Sequence, residues 1–162
     1  MSEITEVLER FRRGAELIAM AMTGAAGAEL DFKPGPEKWC LRQIVAHVAD
    51  SEIVGADRFR RLIAENNPTL MAYDQNAWAN NLDYARRKTS ESVETFRRLR
   101  AENYELLKGL APEAFARQGT HSERGTITLR NHLETMATHA ENHARQIREV
   151  REAYKGSRRA HA

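Results

Sequence analysis

Three things are scarce in this chain, and each absence removes a class of protein. Only one cysteine, Cys40, occurs in 162 residues. A lone thiol closes no intramolecular disulfide, so nothing points to a secreted, disulfide-built scaffold and a reducing cytoplasm is the default compartment. No window approaches the ~20 apolar residues of a membrane span. The N-terminal Met1-Ser2-Glu3-Ile4 lacks the basic start and apolar run of a secretory signal. No membrane partner is expected. An excess of one charge is missing too: 25 Lys+Arg stand against 23 Asp+Glu, closely interspersed, for a formal net charge of +2. That balance argues against nucleic acid as a partner. The basic cluster Lys155-Gly156-Ser157-Arg158-Arg159 reads as a solvated, frayed C-terminus.

What is present is helical. With 41% hydrophobic and 30% charged residues, rich in the good helix formers Ala, Leu, Glu and Arg, the composition is that of an all-α globular domain. The length suits one domain over residues 1–155, followed by a flexible tail at 156–162. Four long stretches carry apolar residues at three- and four-residue steps, and no segment shows a convincing period of two or an internal repeat. The expectation is a four-helix bundle. The first helix spans about Ser2 to Met22 through Ile4, Phe11, Ala15 and Ile18, and loosens at Gly24 and Gly27. The loop Phe32-Lys33-Pro34-Gly35-Pro36 follows, because two prolines cannot continue a helix. The second helix begins near Cys40, with Gln43 placed for the return half of a capping box, and runs through Leu41, Ile44, Val48 and Phe59 to about Glu65.

A less regular stretch, long for a bundle connection, extends to about Lys88 with room for one short helix. It is a natural place for substrate contacts. The third long helix covers about Ser90 to Leu110 and stops at Gly109 and Pro112. After the loop Gly119 to Gly125, Thr126 or Thr128 can cap a last helix reaching about Tyr154. On its inward face, histidines occupy positions where Leu would be expected.

The sharpest motif lies there, in Thr138-His139-Ala140-Glu141-Asn142-His143. On an α-helix, positions i and i+4 differ by about 40° of rotation and ~6 Å of rise, so both rings can converge on one ion. His47 sits beside the apolar stripe of the second helix. A single inward histidine is more often a hydrogen-bonded core residue than a ligand. Two on one face plus a third on another inward helix favour a metal, since neutral imidazole is the commonest side-chain ligand. Three histidines leave further coordination positions open, the pattern of catalytic rather than structural sites. Zn²⁺ is the first choice, with Ni²⁺ or Fe²⁺ accepted by the same donors. Such an ion can lower the pKa of water toward ~7 or hold a thiolate.

The stretch Gly35-Pro36-Glu37-Lys38-Trp39-Cys40-Leu41-Arg42-Gln43-Ile44-Val45-Ala46-His47-Val48-Ala49-Asp50-Ser51-Glu52, with His139-Ala140-Glu141-Asn142-His143-Ala144-Arg145-Gln146-Ile147, resembles the DinB-like superfamily of YfiT-type metalloproteins over nearly the whole chain. The resemblance implies an up-up-down-down four-helix bundle, often dimeric, in which residues matching His47, His139 and His143 bind a divalent metal. It further implies a metal-dependent enzyme acting with a low-molecular-weight thiol or water on a small electrophile, as an S-transferase or hydrolase. The alternative is a non-catalytic metal- or ligand-binding bundle in stress response or interaction. Cys40 stands where the family usually has Ser, which touches the helix cap and leaves the ligands intact. It reads as a partly buried, inert thiol.

Weaker expectations attach to other residues. Asp50 and Gln146 could orient ligand rings or equally be solvated helix positions. His132, two turns before His139, reads as pocket wall or core, and His121 as a loop residue at a bundle end that could enter the cavity as an acid or base, with surface placement preferred. Trp39, Tyr73 and Trp78 could wall a pocket. His161 is expected to be disordered.

Overall fold

The computed structural model describes residues 3–160; Met1, Ser2, His161 and Ala162 lie outside the described residues, and with them the expectation for His161. Four long helices form the bundle: α1 (Glu3–Met22), α2 (Leu41–Ala64), α4 (Thr89–Lys108) and α5 (Leu129–Ala160), with short α3 (Gln75–Asn81) in the long crossover. Boundaries follow local chemistry. Gly24, at φ 77°, takes the left-handed conformation that ends α1. The Cys40 N–H donates to Gln43 Oε1 at 3.1 Å, the return half of the expected box. Thr128 caps α5: its hydroxyl accepts from the Asn131 N–H at 3.0 Å, while Asn131 Oδ1 accepts from the Thr128 N–H at 2.9 Å. The last helix continues through Ala160, beyond the point where the apolar pattern ends.

Around the bundle, α1 packs on α5 and α4, and α2 packs on α4 and α5, so α1 and α2 lie diagonally opposed. That order makes α2 and α5 neighbours, and so brings together histidines separated by more than half of the chain. Two apolar layers fill the interior. One gathers Phe11, Phe59, Leu62, Leu107, Leu129 and Leu133, with Phe11 and Phe59 edge-to-face at 5.6 Å. The other gathers Ile18, Leu41, Ile44, Val48, Phe96, Ala144 and Ile147.

Along α2 and α4 the two layers are separated by a buried ion pair between Glu52 and Arg100, with exposures of 0% and 1%. Arg100 donates from Nε and Nη2 to the two carboxylate oxygens at 3.0 and 2.7 Å, from Nη1 to Phe11 O at 2.9 Å, and from Nη2 to Met136 O at 3.2 Å. Its guanidinium lies 4.0 Å from the Phe11 ring centroid. Gly14 makes room for it, because a Cβ there would lie 2.6 Å from Arg100 Nη1 and 2.8 Å from Ala140 Cβ.

One element departs from the sequence reading. A small sheet of order β1-β2-β3 adjoins the bundle: β1 (Thr69–Leu70) pairs parallel with β2 (Gln118–His121), which pairs antiparallel with β3 (Gly125–Thr128). Strands of two to four residues are too short to leave a period-two signature, so the segment read as a loop is a hairpin. Leu70 and Ile127 still contribute to the core.

Candidate metal centre

His47 projects from α2, and His139 and His143 lie one turn apart on α5. His47 Nε2 lies 3.1 Å from His139 Nε2, and His143 Nε2 lies 3.1 Å from the same atom. One ligand atom from each ring falls within 4.8 Å of the others, so the three sequence-predicted ligands do meet. A tetrahedral ion with Zn–N bonds of about 2.0–2.1 Å needs neighbouring nitrogens ~3.3 Å apart. The two spacings to His139, each 3.1 Å, are close to that.

The donors also have the right charge state. Burial, then His143, pushes His47 down to about 3. Burial, then both neighbouring rings, pushes His139 down to about 2. His143 is also lowered by burial, although Gln146 acts the other way. All three are therefore neutral imidazoles at pH 7. At His143 the tautomer follows from the geometry: Nδ1–H donates to Gln146 Oε1 at 2.7 Å, which turns the Nε2 lone pair toward the other rings. Nitrogen pairs 3.1 Å apart need a proton or a cation between them, so the residues present fit a divalent ion. The support is uneven, however. His139 Nδ1 is buried without a partner, and Ser51 Oγ lies 3.5 Å from His47 Nδ1, a loose contact.

The other candidates sort themselves by contact. Gln146 orients a ring as expected. Asp50 does not: its carboxylate accepts from Tyr84 Oη at 2.8 Å and from Arg87 Nη1 at 2.7 Å, fastening the crossover to α2. His132 is a core residue whose Nε2–H donates to Gly55 O at 3.1 Å. Cys40 is buried. The Trp39 ring centroid is 5.1 Å from that of His47, and Trp78 stacks against Tyr73 at 4.5 Å.

His121 takes the second of its two expected placements, in the cavity and not at the surface. It is 5% exposed rather than at the surface, because β2 turns it inward and the backbone N–H groups of Glu123 and Arg124 donate to its Nδ1 at 3.2 and 3.3 Å. With His47, His139, Ser51, Tyr73 and Arg58 it lines a cavity of about 280 Å³. Sequence reasoning missed Ser51 and Arg58. A Ser one turn after His47 was the available signal for the first, and its hydroxyl lies 2.6 Å from Tyr73 Oη.

The chain belongs to the DinB superfamily, whose model matches residues 10–147. Among curated relatives, YfiT of Bacillus subtilis, named "Putative metal-dependent hydrolase", is 31% identical over 124 residues, covering 76% of this chain and 70% of its own. A protein of Oceanobacillus iheyensis with the same designation is 30% identical over 119 residues, covering 74% and 69%. A third, from Bacillus mycoides, is 30% identical over 135 residues, covering 83% and 78%. The solved structure of YfiT from Bacillus subtilis, described as a probable metal-dependent hydrolase with an unusual four-helix bundle topology, matches with a TM-score of 0.88 at 25% identity. The match covers 96% of this chain and 90% of that one. No helix among the described residues is long and apolar enough to cross a membrane.

Proposed function

We propose that this protein is a metal-dependent hydrolase of a small-molecule ester or amide, with His47, His139 and His143 as the ligands of one divalent ion, Zn²⁺ in the first instance. The convergence of the three Nε2 atoms at 3.1 Å steps carries the reading, and the names of the curated relatives support the reaction class. When bound, the ion would supply Lewis acidity, lowering the pKa of water toward ~7 and polarising a carbonyl.

The chain's own groups do the rest. Gln146 holds a proton on His143 Nδ1 and keeps Nε2 free to coordinate. Tyr73, raised by burial, keeps its phenolic proton at neutral pH and offers it within the cavity beside Ser51. That hydroxyl pair can hydrogen-bond a substrate oxygen next to His47. Met136 and Val54 line the same cavity and limit water around the reacting bond.

The test begins with metal content per chain, by mass spectrometry, on protein purified without a tag or added metal. About one Zn, Ni or Fe is expected in the wild type, and none in His47→Ala or His143→Ala. Metal-loaded protein is then assayed against ester and amide panels, with thiol plus electrophile mixtures in parallel. A hydrolysis rate abolished by His139→Ala supports the proposal; a metal-free wild type that resists reloading refutes it.

A further inference from the structure

The cavity beside the histidines has a second chemical character. Its far wall comprises Arg58 from α2, His121 from β2, and Glu123 and Arg124 from the β2–β3 turn. Several arginines are tied to carboxylates, as in Arg10 with Glu141, Arg61 with Asp57 and Arg87 with Asp50, while Arg117 donates to the backbone carbonyls of Leu62 and Glu65. Arg58 and Arg124 have no ion pair among the described residues. Arg58 is nonetheless held in place, because its Nη2 donates to Met71 O at 2.6 Å. Burial first, and then the charge of Arg124, lowers its pKa, so two cations repel each other at the rim of a cavity.

His121 adds a third donor to this wall. Its Nδ1 accepts two backbone N–H groups, which puts the ring proton on Nε2. Burial, then the two arginines, lowers its pKa and keeps it neutral near pH 7. The wall therefore carries two positive charges and the one negative charge of Glu123. A single carboxylate group balances that wall, whereas a dianionic phosphate group would concentrate two charges there and meet Glu123.

We propose that Arg58, Arg124 and the His121 Nε2–H form a carboxylate subsite, and that the substrate is a small ester or amide bearing a carboxylate at the end remote from its scissile bond. The proposal rests on the function proposed above, because the two ends of the substrate share one cavity. Guanidinium pairs with carboxylates through two parallel hydrogen bonds, which gives orientation as well as affinity. The cavity of about 280 Å³ lies near the lower end of the ~300–1,000 Å³ range of small-molecule pockets. A short acyl chain with a terminal carboxylate suits that size.

The test uses succinate as probe, one carboxylate for the wall and the other in the place of the scissile ester or amide, with succinamide as its neutral counterpart and inorganic phosphate as the competing anion. Each is titrated into full-length protein freed of metal by chelation, so that coordination to an ion contributes nothing. Calorimetry reads the heat, and fluorescence reads Trp39 and Trp78, which pack against the cavity residues His47 and Tyr73. Saturable succinate binding is expected, weakened roughly tenfold in Arg58→Gln and several-fold in Arg124→Gln, with no saturable response to succinamide. Arg124 is exposed, so its variant decides the matter if Arg58→Gln does not fold.

Succinate affinity unchanged in Arg124→Gln and in a folded Arg58→Gln, or no tighter than that of succinamide, overturns the proposal. So does phosphate binding more tightly than succinate. Metal content measured on the same wild-type preparation before chelation separates the two readings: metal present with no succinate binding sinks only the subsite. Arginine-dependent succinate binding without any metal supports the subsite and sinks the hydrolase.

Discussion

Breaking the buried pair between Glu52 and Arg100 from one side is expected to cost far more than removing it whole. Both side chains are out of contact with water, at 0% and 1% exposure. Arg100→Met deletes the bidentate contact at 3.0 and 2.7 Å and leaves the Glu52 carboxylate with one long hydrogen bond, from Asn103 Nδ2 at 3.3 Å. An uncompensated buried charge of this kind costs about 3–5 kcal/mol. In a domain of this size about 1 kcal/mol moves Tm by roughly 2–4 °C, so Tm should fall by roughly 6–20 °C. Glu52→Leu should cost a similar amount, because it strands the guanidinium between Phe11 and Phe96, whose ring centroids lie 4.0 and 4.7 Å away.

In the double variant Arg100→Met/Glu52→Leu no charge remains to be buried. The carbonyls of Phe11 and Met136 keep their helical N–H partners, and only Asn103 Nδ2 loses an acceptor. The double variant should therefore cost less than the sum of the singles by at least about 2 kcal/mol, within the range of coupled contacts. Urea denaturation at pH 7 of all four proteins closes the cycle. Additive losses, or a single variant costing under about 1 kcal/mol, would refute the argument.

Two further outcomes follow from individual contacts. His132, pushed down to about 3 by burial, stays neutral in the fold while the unfolded chain binds its proton below about 6.5. Stability from this site is therefore complete above pH 6.5 and falls by about 1.4 kcal/mol per pH unit as pH drops toward 3. Metal-free wild type should lose about 2 kcal/mol more than His132→Leu between pH 7.5 and 5.0, and equal losses in denaturant titrations would remove His132 from the account. Gln146→Leu takes away the acceptor at His143 Nδ1. It should weaken metal affinity by roughly 10–100-fold, measured by chelator competition, with little change in the stability of the metal-free fold. Unaltered affinity would show that the ring needs no such support.

The sequence by itself determined the bundle and its three converging histidines. Helix period, proline and glycine stops and the four-residue spacing of His139 and His143 are local properties, readable without knowing what lies opposite. His47 was legible because it rides beside the apolar stripe of its own helix, and any residue so placed must meet another inward face. Gln146 was legible for the same reason, three positions beyond His143.

What tertiary structure alone decided is which distant groups became partners. Asp50 looked as suited as Gln146 to steady a histidine, but Tyr84 and Arg87 from the crossover claim its carboxylate. His121 read as a surface loop residue until the short hairpin turned it inward. Glu52 and Arg100 carried no signal at all, since charged residues on helices usually face water and only the meeting of α2 with α4 buries these two. The wall of Arg58 and Arg124 depends on the same physics, because contacts between side chains far apart in the chain are fixed by helix order and loop path, which no single segment encodes.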